Sequence, residues 1–280
     1  MRPRRIISLT SIPPRFAGLG PALESLVSQK CRVDEVALYL PPSYARFPDW
    51  DGTHPSVPEG VTIRKVARDY GPATKLLGAL TDHQDADCQI LFCDDDMVHD
   101  PKFAGHLFEA QMRRPADCVA GYGVPLARMI PDAPQPTRAP RYGLGLRPKS
   151  ADYRRRRIVW KLGRLIGKGD LAKPKRGKTK VSGYADILFG VRGAVVRPGF
   201  FDEAVFAVHP PHAWVDDVWI SGHLERGGTG IWIPVDAIVP SHTHEAERDA
   251  LKHAVFGGAE RHALNTGAIR YFQETYGIWR

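Results

Sequence analysis

The first 124 residues alternate short apolar, β-branched runs with segments of helical spacing, and this alternation limits the folds open to the chain. The strand-like runs lie at 5–12, 35–40, 61–66 and 89–93, and helical spacing covers 19–29 and 74–80. Strands separated by helical segments favour a mainly parallel sheet with helices packed on its faces. The chain is therefore predicted to have an α/β fold.

The alternation stops at residue 125 and resumes at Val181. Between these points Pro, Gly and Arg dominate, and only residues 153–166 keep a helical spacing. Strand and helix patterns then continue to a last helix predicted over 268–276. We predict a single domain over 1–280, in which 125–180 is an insertion between two halves, 1–124 and 181–280.

Positive charge is concentrated in this insertion. The chain carries a net charge of +8, yet residues 138–180 hold sixteen Lys or Arg against two acids, so the rest has a net charge of −6. The stretch from Arg154 to Lys168 is predicted to form a basic amphipathic helix, typical of contact with anionic membranes. An anionic polysaccharide, a nucleic acid or a purely solvated surface are the alternatives.

Composition narrows the class of protein. A chain of 280 residues with 43% hydrophobic and 25% charged residues resembles an ordinary globular protein. No apolar run approaches the ~20 residues that span a bilayer. The N-terminus has only about four apolar residues before polarity returns, where a secretory signal needs ~7–15. The four cysteines form no CxxC pair, and Cys88 and Cys93 are expected in the core. We expect a cytoplasmic protein, with peripheral contact on the inner face of the membrane.

Three consecutive carboxylates, Asp94, Asp95 and Asp96, directly follow the strand predicted at 89–93. Ligands of α/β sheets bind at the carboxyl ends of the strands. Adjacent anions repel one another unless a cation compensates them, and hard oxygen ligands favour Mg²⁺ or Mn²⁺. In an extended chain Asp94 and Asp96 would point to the same side and Asp95 to the other. The alternative is an acidic turn before the helix that starts near Pro101.

A strand followed by Asp94–Asp96 resembles the DxD motif of nucleotide-sugar-dependent glycosyltransferases of the GT-A fold, broadly family-2-like. The resemblance covers 5–124 and 181–245 in the expected order. It implies a GT-A fold and metal-dependent transfer from a UDP- or GDP-sugar to a saccharide or lipid-linked acceptor hydroxyl, with Mn²⁺ or Mg²⁺ as cofactor. The half 1–124 would then bind the nucleotide-sugar, and 181–280 the acceptor.

The resemblance also assigns roles to individual residues. The metal ligands would be Asp94 and Asp96, with His242 favoured over His244 as a further ligand. The residues implied to bind the nucleotide-sugar are Thr10, Arg15, Asp69, Lys75, Asp94, Asp95, Gly183 and Asp186. Lys75 follows a glycine turn at the start of a helix, where backbone N–H groups and a positive charge suit a diphosphate.

Two further carboxylates, Asp216 and Asp217, begin a predicted helix and match the acidic pair of inverting members. Asp217 would be the general base that deprotonates the acceptor hydroxyl, with Asp216 as its neighbour. The pair departs from the commoner Glu-Asp form, and acids in a first turn also stabilise the helix dipole. Inversion is expected, while a retaining reaction on the same fold stays open.

Two other classes of function compete with this interpretation. A metal-dependent nucleotidyltransferase or phosphohydrolase would also need clustered aspartates, but a nucleotidyltransferase usually has a glycine-rich basic loop after its first strand. Residues 11–15 read Ser-Ile-Pro-Pro-Arg there. A nucleic-acid-binding protein would use the basic segment, but the acidic remainder would repel phosphates. We therefore expect no nucleic-acid partner.

Overall fold

Six α-helices and fourteen β-strands lie in the part of the chain that the computed structural model describes, residues 2–84, 86–145, 151–167, 179–209, 211–235, 237–243 and 261–280. The helices are α1 (Gly20–Val27), α2 (Thr74–His83), α3 (Phe103–Met112), α4 (Ala151–Leu165), α5 (Asp216–Arg226) and α6 (Arg261–Tyr276). The strands are β1 (Arg4–Thr10), β2 (Glu35–Leu40), β3 (Val61–Lys65), β4 (Cys88–Phe92), β5 (Met97–Val98), β6 (Cys118–Ala120), β7 (Gly123–Val124), β8 (Gly143–Leu144), β9 (Thr179–Val181), β10 (Gly183–Ala185), β11 (Ile187–Leu188), β12 (Ala194–Val196), β13 (Ile231–Ile233) and β14 (Ser241–His242).

Eight of these strands form one sheet, in the order β10-β13-β6-β12-β4-β1-β2-β3. β1 pairs in parallel with β2 and β4, and the pairs β2–β3 and β6–β13 are also parallel. β12 runs antiparallel between β4 and β6, and β10 is antiparallel to β13. The predicted α/β fold with a mainly parallel sheet is confirmed. Strands from both sides of 125–180 enter this sheet, while the division into halves stays a prediction.

Helices cover both faces of the sheet. Side chains of β1 alternate between two hydrophobic clusters, since Ile6 packs with residues of α2, α5 and α6, whereas Ile7 packs with α1 and α3. Both side chains are fully buried. A strand buried on both faces needs apolar residues at successive positions, which explains the continuous apolar runs in the sequence.

The predicted bounds of most elements agree with the structure, and β2 matches its prediction at both ends. The apolar run over 187–191 forms a strand only as far as Leu188, because a 3₁₀ turn over Gly190–Arg192 follows it. The last helix begins at Arg261 rather than Ala268. Its first turns bury only Leu264 among their described side chains, so the apolar spacing there is too weak to predict a helix.

The insertion contains the predicted basic helix as α4, whereas residues 146–150 and 168–178 lie outside the described residues. Among the helices of the described part, none has the length and apolar character that crossing a membrane requires. Cys88 and Cys93 are buried, as expected for core residues.

Candidate functional site

A pocket of about 390 Å³ opens at the carboxyl ends of β1 and β4. Because these strands are parallel neighbours, the residues that follow them meet at one edge of the sheet. The predicted site residues that line the pocket are Thr10, Arg15, Asp69, Lys75, Asp94, Asp95, Asp96, Asp216, Asp217 and His242. The fold thus brings together candidates from five separate stretches of sequence.

The Asp94–Asp96 triplet is not extended, because Asp95 and Asp96 form a turn. Asp95 accepts hydrogen bonds from Ser11 Oγ at 2.5 Å and from Arg15 Nη1 at 2.7 Å. The same Arg15 nitrogen lies 3.5 Å from Asp96 Oδ2. Asp95 and Asp96 therefore share one cation instead of pointing to opposite sides. Burial raises the pKa of Asp95 in spite of these partners.

Lys75 joins the triplet to the second acidic pair. Its Nζ lies 2.5 Å from Asp94 Oδ1 and 2.7 Å from Asp216 Oδ2, and the side chain is 4% exposed. Burial alone would lower the pKa of Lys75, but the two carboxylates raise it well above its usual value. Burial likewise tends to raise the pKa of Asp94, and Lys75 outweighs that effect and lowers it. Lys75 is thus a buried bridge between the two carboxylates, and its contact with a diphosphate stays a prediction.

Close backbone approaches hold this bridge in place. Gly71 has a φ of 60°, and a Cβ there would lie 2.7 Å from the carbonyl oxygen of Ala213, in the turn that precedes α5. Glycine therefore allows the turn before α2 to touch the turn before α5. Ser8 of β1 donates a hydrogen bond to the carbonyl of Lys75. These contacts bring the start of α2 against both β1 and α5.

Asp217 lines the same pocket and is 8% exposed. Its Oδ1 accepts a hydrogen bond from the Gly190 amide at 2.9 Å, and its Oδ2 lies 3.9 Å from Arg261 Nη2. Burial, and then the charge of Asp216, raise the pKa of Asp217 to about 7. A carboxyl group that titrates near neutral pH at a pocket wall has the properties of a general base.

Negative charge exceeds positive charge around the pocket. Among the described residues that line it, six are acidic and four are cationic: Asp69, Asp94, Asp95, Asp96, Asp216 and Asp217 against Arg15, Arg46, Lys75 and Arg261. With every carboxyl group ionised, the excess is two negative charges, which one divalent cation would balance.

Asp96 is the least compensated member of the triplet. Within the described residues its Oδ1 is buried and has no hydrogen-bond partner. Burial, and then the charges of Asp94 and Asp95, raise the pKa of Asp96 to about 7. The antiparallel pair β5–β14 places His242 opposite Met97, and the Thr243 amide donates to the Asp96 carbonyl at 2.9 Å. Asp96 and His242 are therefore neighbours at the pocket wall.

The structure brings only some of the predicted metal ligands into a position to bind an ion. In the described part of the chain, no three His, Cys, Asp or Glu side chains are placed to hold a metal ion on their own. Asp94 is paired with Lys75, and His244 lies outside the described residues. Mg²⁺ commonly binds through one or two carboxylates and takes its other ligands from substrate phosphates and water. The free oxygen of Asp96 and the charge excess fit such an ion.

Two predicted residues, Gly183 and Asp186, are not among the described residues that line the pocket, and their assignment to the nucleotide-sugar stays a prediction. Arg141 donates to both Asp186 oxygens at 2.8 and 2.6 Å, and the Leu126 amide donates to Oδ2 at 2.8 Å. A Cβ on Gly183 would lie 2.3 Å from the backbone carbon of Arg141. Both residues therefore hold the segment around Arg141 against β10.

The glycine of this stretch that reaches the site is Gly190. Besides donating its amide to Asp217, it packs so closely that a Cβ would lie 2.7 Å from Lys75 Nζ and 3.1 Å from Asp94 Oδ1. β12 starts next to the end of β4, since Ala194 pairs with Phe92, and this pairing brings the preceding turn to the triplet.

Several residues of the pocket wall were not predicted from the sequence. They are Ser11, Tyr44, Arg46, Phe47, Phe189, Trp214 and Arg261. The aromatic members suit flat rings of a ligand. Tyr44 and Phe47 lie just after β2, the parallel neighbour of β1. Because the carboxyl ends of the two strands meet at one edge of the sheet, their position in the sequence was enough to suggest them as pocket residues. Arg261 had no such signal, since the first turns of α6 are mostly polar.

Neither a scan of protein-family models nor a search of curated proteins finds a match to this chain. Among solved structures, the chain is similar to a mannosyltransferase from Pyrobaculum calidifontis in complex with GDP-Man and Mn²⁺, with a TM-score of 0.45 and 15% identity over 85% of this chain and 56% of that one. It is also similar to glucosyl-3-phosphoglycerate synthase from Mycobacterium tuberculosis in complex with Mg²⁺ and UDP, with a TM-score of 0.47 and 14% identity over 99% of this chain and 80% of that one. The same synthase with Mn²⁺, UDP and glucosyl-3-phosphoglycerate has a TM-score of 0.44 at 14% identity, over 99% and 81%. The chain spans 56% of the length of the mannosyltransferase.

Proposed function

We propose that this chain is a metal-dependent glycosyltransferase, which moves a sugar from a UDP- or GDP-sugar to the hydroxyl of a saccharide or lipid-linked acceptor. The observation that carries the proposal is that Asp96 and Asp217 line one pocket, each with a pKa raised to about 7. Asp96 is suited to bind the divalent cation, and Asp217 is suited to accept the proton of the acceptor hydroxyl. The proposed reaction requires both.

On the donor side, Asp96 and His242 would hold Mn²⁺ or Mg²⁺, with Asp94 beside them as part of a DxD motif. The ion would neutralise the negative charge that develops on the leaving diphosphate. Thr10, Arg15 and Asp69 line the same wall, where Arg15 supplies positive charge next to the diphosphate. Asp95 orients Arg15 through the 2.7 Å hydrogen bond between them.

On the acceptor side, Asp217 would take the proton of the attacking hydroxyl on its carboxylate. The oxygen then attacks the anomeric carbon, and the bond from that carbon to the diphosphate breaks. The Gly190 amide and Arg261 hold the Asp217 side chain. Asp216, paired with Lys75, keeps the first turn of α5 in position. A single in-line displacement of this kind inverts the anomeric configuration.

The proposal is tested with a panel of UDP- and GDP-sugars, by measuring Mn²⁺-dependent sugar release and thermal stabilisation. Asp96→Asn should lose the stabilisation by Mn²⁺ with nucleotide as well as turnover. Asp217→Asn should keep that stabilisation and lose about 100-fold or more in turnover. Asp132→Asn, at an exposed position, is the matched control and should behave as the wild type. Full metal-dependent turnover in Asp96→Asn would contradict the site assignment.

We also propose that the segment Arg154–Lys180 makes peripheral contact with an anionic membrane at the cytoplasmic face. The support is its charge, since residues 154–180 hold twelve of the 39 basic residues. Each cation near an anionic surface contributes about 1 kcal/mol at the membrane. A lipid-linked acceptor would reach the pocket from that surface.

A further inference from the structure

The apolar side chains of α4 point into solvent. Ile158, Leu162 and Leu165 follow one another at helical spacing and are 58%, 56% and 81% exposed. Val159 and Ile166 extend this face and are 55% and 71% exposed. We call these five residues the α4 stripe. Large apolar side chains at this exposure, contiguous on one helix, are typical of a surface that binds a partner.

The helix contacts the rest of the protein through other residues. Arg156 Nη1 lies 3.6 Å from Asp100 Oδ2, in the loop before α3. Trp160 is only partly exposed and is flanked by the guanidinium groups of Arg157 and Arg164, at 4.9 and 5.3 Å from its ring centre. The α4 stripe lies on a different side of the helix from Arg156 and Trp160. The α4 stripe therefore faces solvent and not the rest of the protein.

The positive charge of α4 indicates which kind of partner its exposed face binds. Arg154–Arg157, Lys161 and Arg164 place six cations on the helix, against one acid, Asp152. A second copy of the chain would bring six like charges against these six, which opposes self-association. A nucleic acid would pair with the cations through its phosphates but would leave the α4 stripe in water. An anionic bilayer surface offers headgroup charge and hydrocarbon together.

We propose that α4 lies in the plane of an anionic bilayer surface, with the α4 stripe inserted among the acyl chains and its cations at the headgroups. This inference adds apolar insertion to the charge contact and does not depend on the reaction. The contact with Asp100 places α4 beside the loop that follows Asp94–Asp96. If the proposed function holds, the docked chain would meet acceptors whose hydroxyl is carried on a lipid.

The test is sedimentation of the full chain with vesicles of phosphatidylcholine alone, or with about 30% phosphatidylglycerol, at about 0.1 M and about 0.5 M NaCl. The wild type should bind the anionic vesicles and bind less at high salt. The triple variant Ile158→Gln, Leu162→Gln and Leu165→Gln should bind the anionic vesicles at least about tenfold more weakly than the wild type. Met112→Gln, which alters an exposed apolar residue on α3, is the control and should bind as the wild type.

The charge variant Arg154→Gln, Arg155→Gln and Lys161→Gln should bind more weakly and lose much of the salt dependence. Unchanged binding by the stripe variant would overturn the insertion, and so would absence of wild-type binding to anionic vesicles. Retention of a DNA duplex by both wild type and stripe variant, without vesicle binding, would assign the helix to nucleic acid instead. Thermal stabilisation by Mn²⁺ and nucleotide, measured on the same variants, reports separately on the proposed function.

Discussion

Lys75 Nζ lies 2.7 Å from Asp216 Oδ2, and the same ammonium group lies 2.5 Å from Asp94 Oδ1. One buried cation thus neutralises a carboxylate at the end of β4 and another at the start of α5. Asp95 has Arg15 and Ser11 as partners. Asp96 and Asp217 are left as the two carboxyl groups of these clusters whose pKa is raised to about 7. The pairing pattern separates structural carboxylates from those suited to chemistry.

Replacing Lys75 should destabilise the fold strongly. Lys75→Met leaves the buried Asp216 and the partly exposed Asp94 without their shared cation. Breaking a buried ion pair by removing one partner costs about 3–5 kcal/mol. Urea unfolding at neutral pH measures the loss. The double variant Lys75→Met with Asp216→Asn should recover part of it, because one buried charge is removed.

Lys102→Met is the control for this measurement, since Lys102 is exposed, and its free energy of unfolding should stay within about 0.5 kcal/mol of the wild type. A loss below about 1 kcal/mol in Lys75→Met would mean that the Lys75 bridge contributes little to stability.

In the metal-free protein, the contribution of the buried Asp217 carboxyl group to stability should fall as pH rises through 7. The pKa of Asp217 is about 7 in the folded protein against an ordinary 3.8, so the folded state binds this proton more tightly. The resulting stability is fully present below about pH 4 and is lost as pH rises through the folded pKa. Between pH 6 and 8 one such group loses about 1 kcal/mol of stabilisation. The pKa of Asp96 is also raised to about 7, so its contribution to stability should fall over the same pH range.

Asp217→Asn isolates this effect. Burial lowers the pKa of His99 and His223 to about 4, and these histidines act in the opposite direction below about pH 6.5, but equally in both proteins. The difference in unfolding free energy between wild type and variant should therefore change by about 1 kcal/mol between pH 6 and 8. Urea titrations at the two pH values measure it, and an equal difference at both would contradict the raised pKa.

Gly190→Ala should impair activity more than stability. The new Cβ would meet Lys75 Nζ at 2.7 Å and Asp94 Oδ1 at 3.1 Å, and Lys75 is held by two carboxylates, so the bridge must shift. Overpacking typically costs about 1–3 kcal/mol, while we expect turnover to fall by about tenfold or more because the Asp217 carboxylate moves with the Gly190 amide. Gly199→Ala, where no atom lies within 4 Å of the new Cβ, should change neither. Equal turnover in the two variants would show that the close packing at Gly190 is unimportant.

Asp186→Asn tests whether Asp186 binds the donor or only holds Arg141. It removes the charge that pairs with Arg141, so we expect a loss of about 1–3 kcal/mol in unfolding free energy. Thermal stabilisation by Mn²⁺ with nucleotide should stay at the wild-type level, because Asp186 does not line the pocket among its described residues. Arg141→Gln should show a similar pattern. A selective loss of nucleotide binding in Asp186→Asn would instead support the predicted assignment of Asp186 to the donor.

Local patterns predicted the elements that frame the site. The apolar runs of β1, β2 and β4 are continuous because both faces of these strands are buried, so their positions and their α/β arrangement follow from the sequence. The positions of Asp94–Asp96 after β4 and of Asp216 and Asp217 at the start of α5 follow equally, since each depends only on neighbouring residues. The choice of a glycine near the site depended on contacts between distant segments. The sequence indicated Gly183, whereas the glycine of that stretch that reaches the site is Gly190.

The sequence by itself determined that a buried strand ends in three carboxylates, that a helix begins with two more, and that a strongly basic amphipathic helix interrupts the chain. Only the tertiary structure decided which carboxylates are neutralised, because Lys75 meets Asp94 and Asp216 through the packing of α2 against β1 and α5. It also decided that the apolar side of α4 faces outward, since periodicity defines a helix face but not what covers it. Electrostatic pairing and burial depend on distances between segments remote in sequence, which no local pattern encodes.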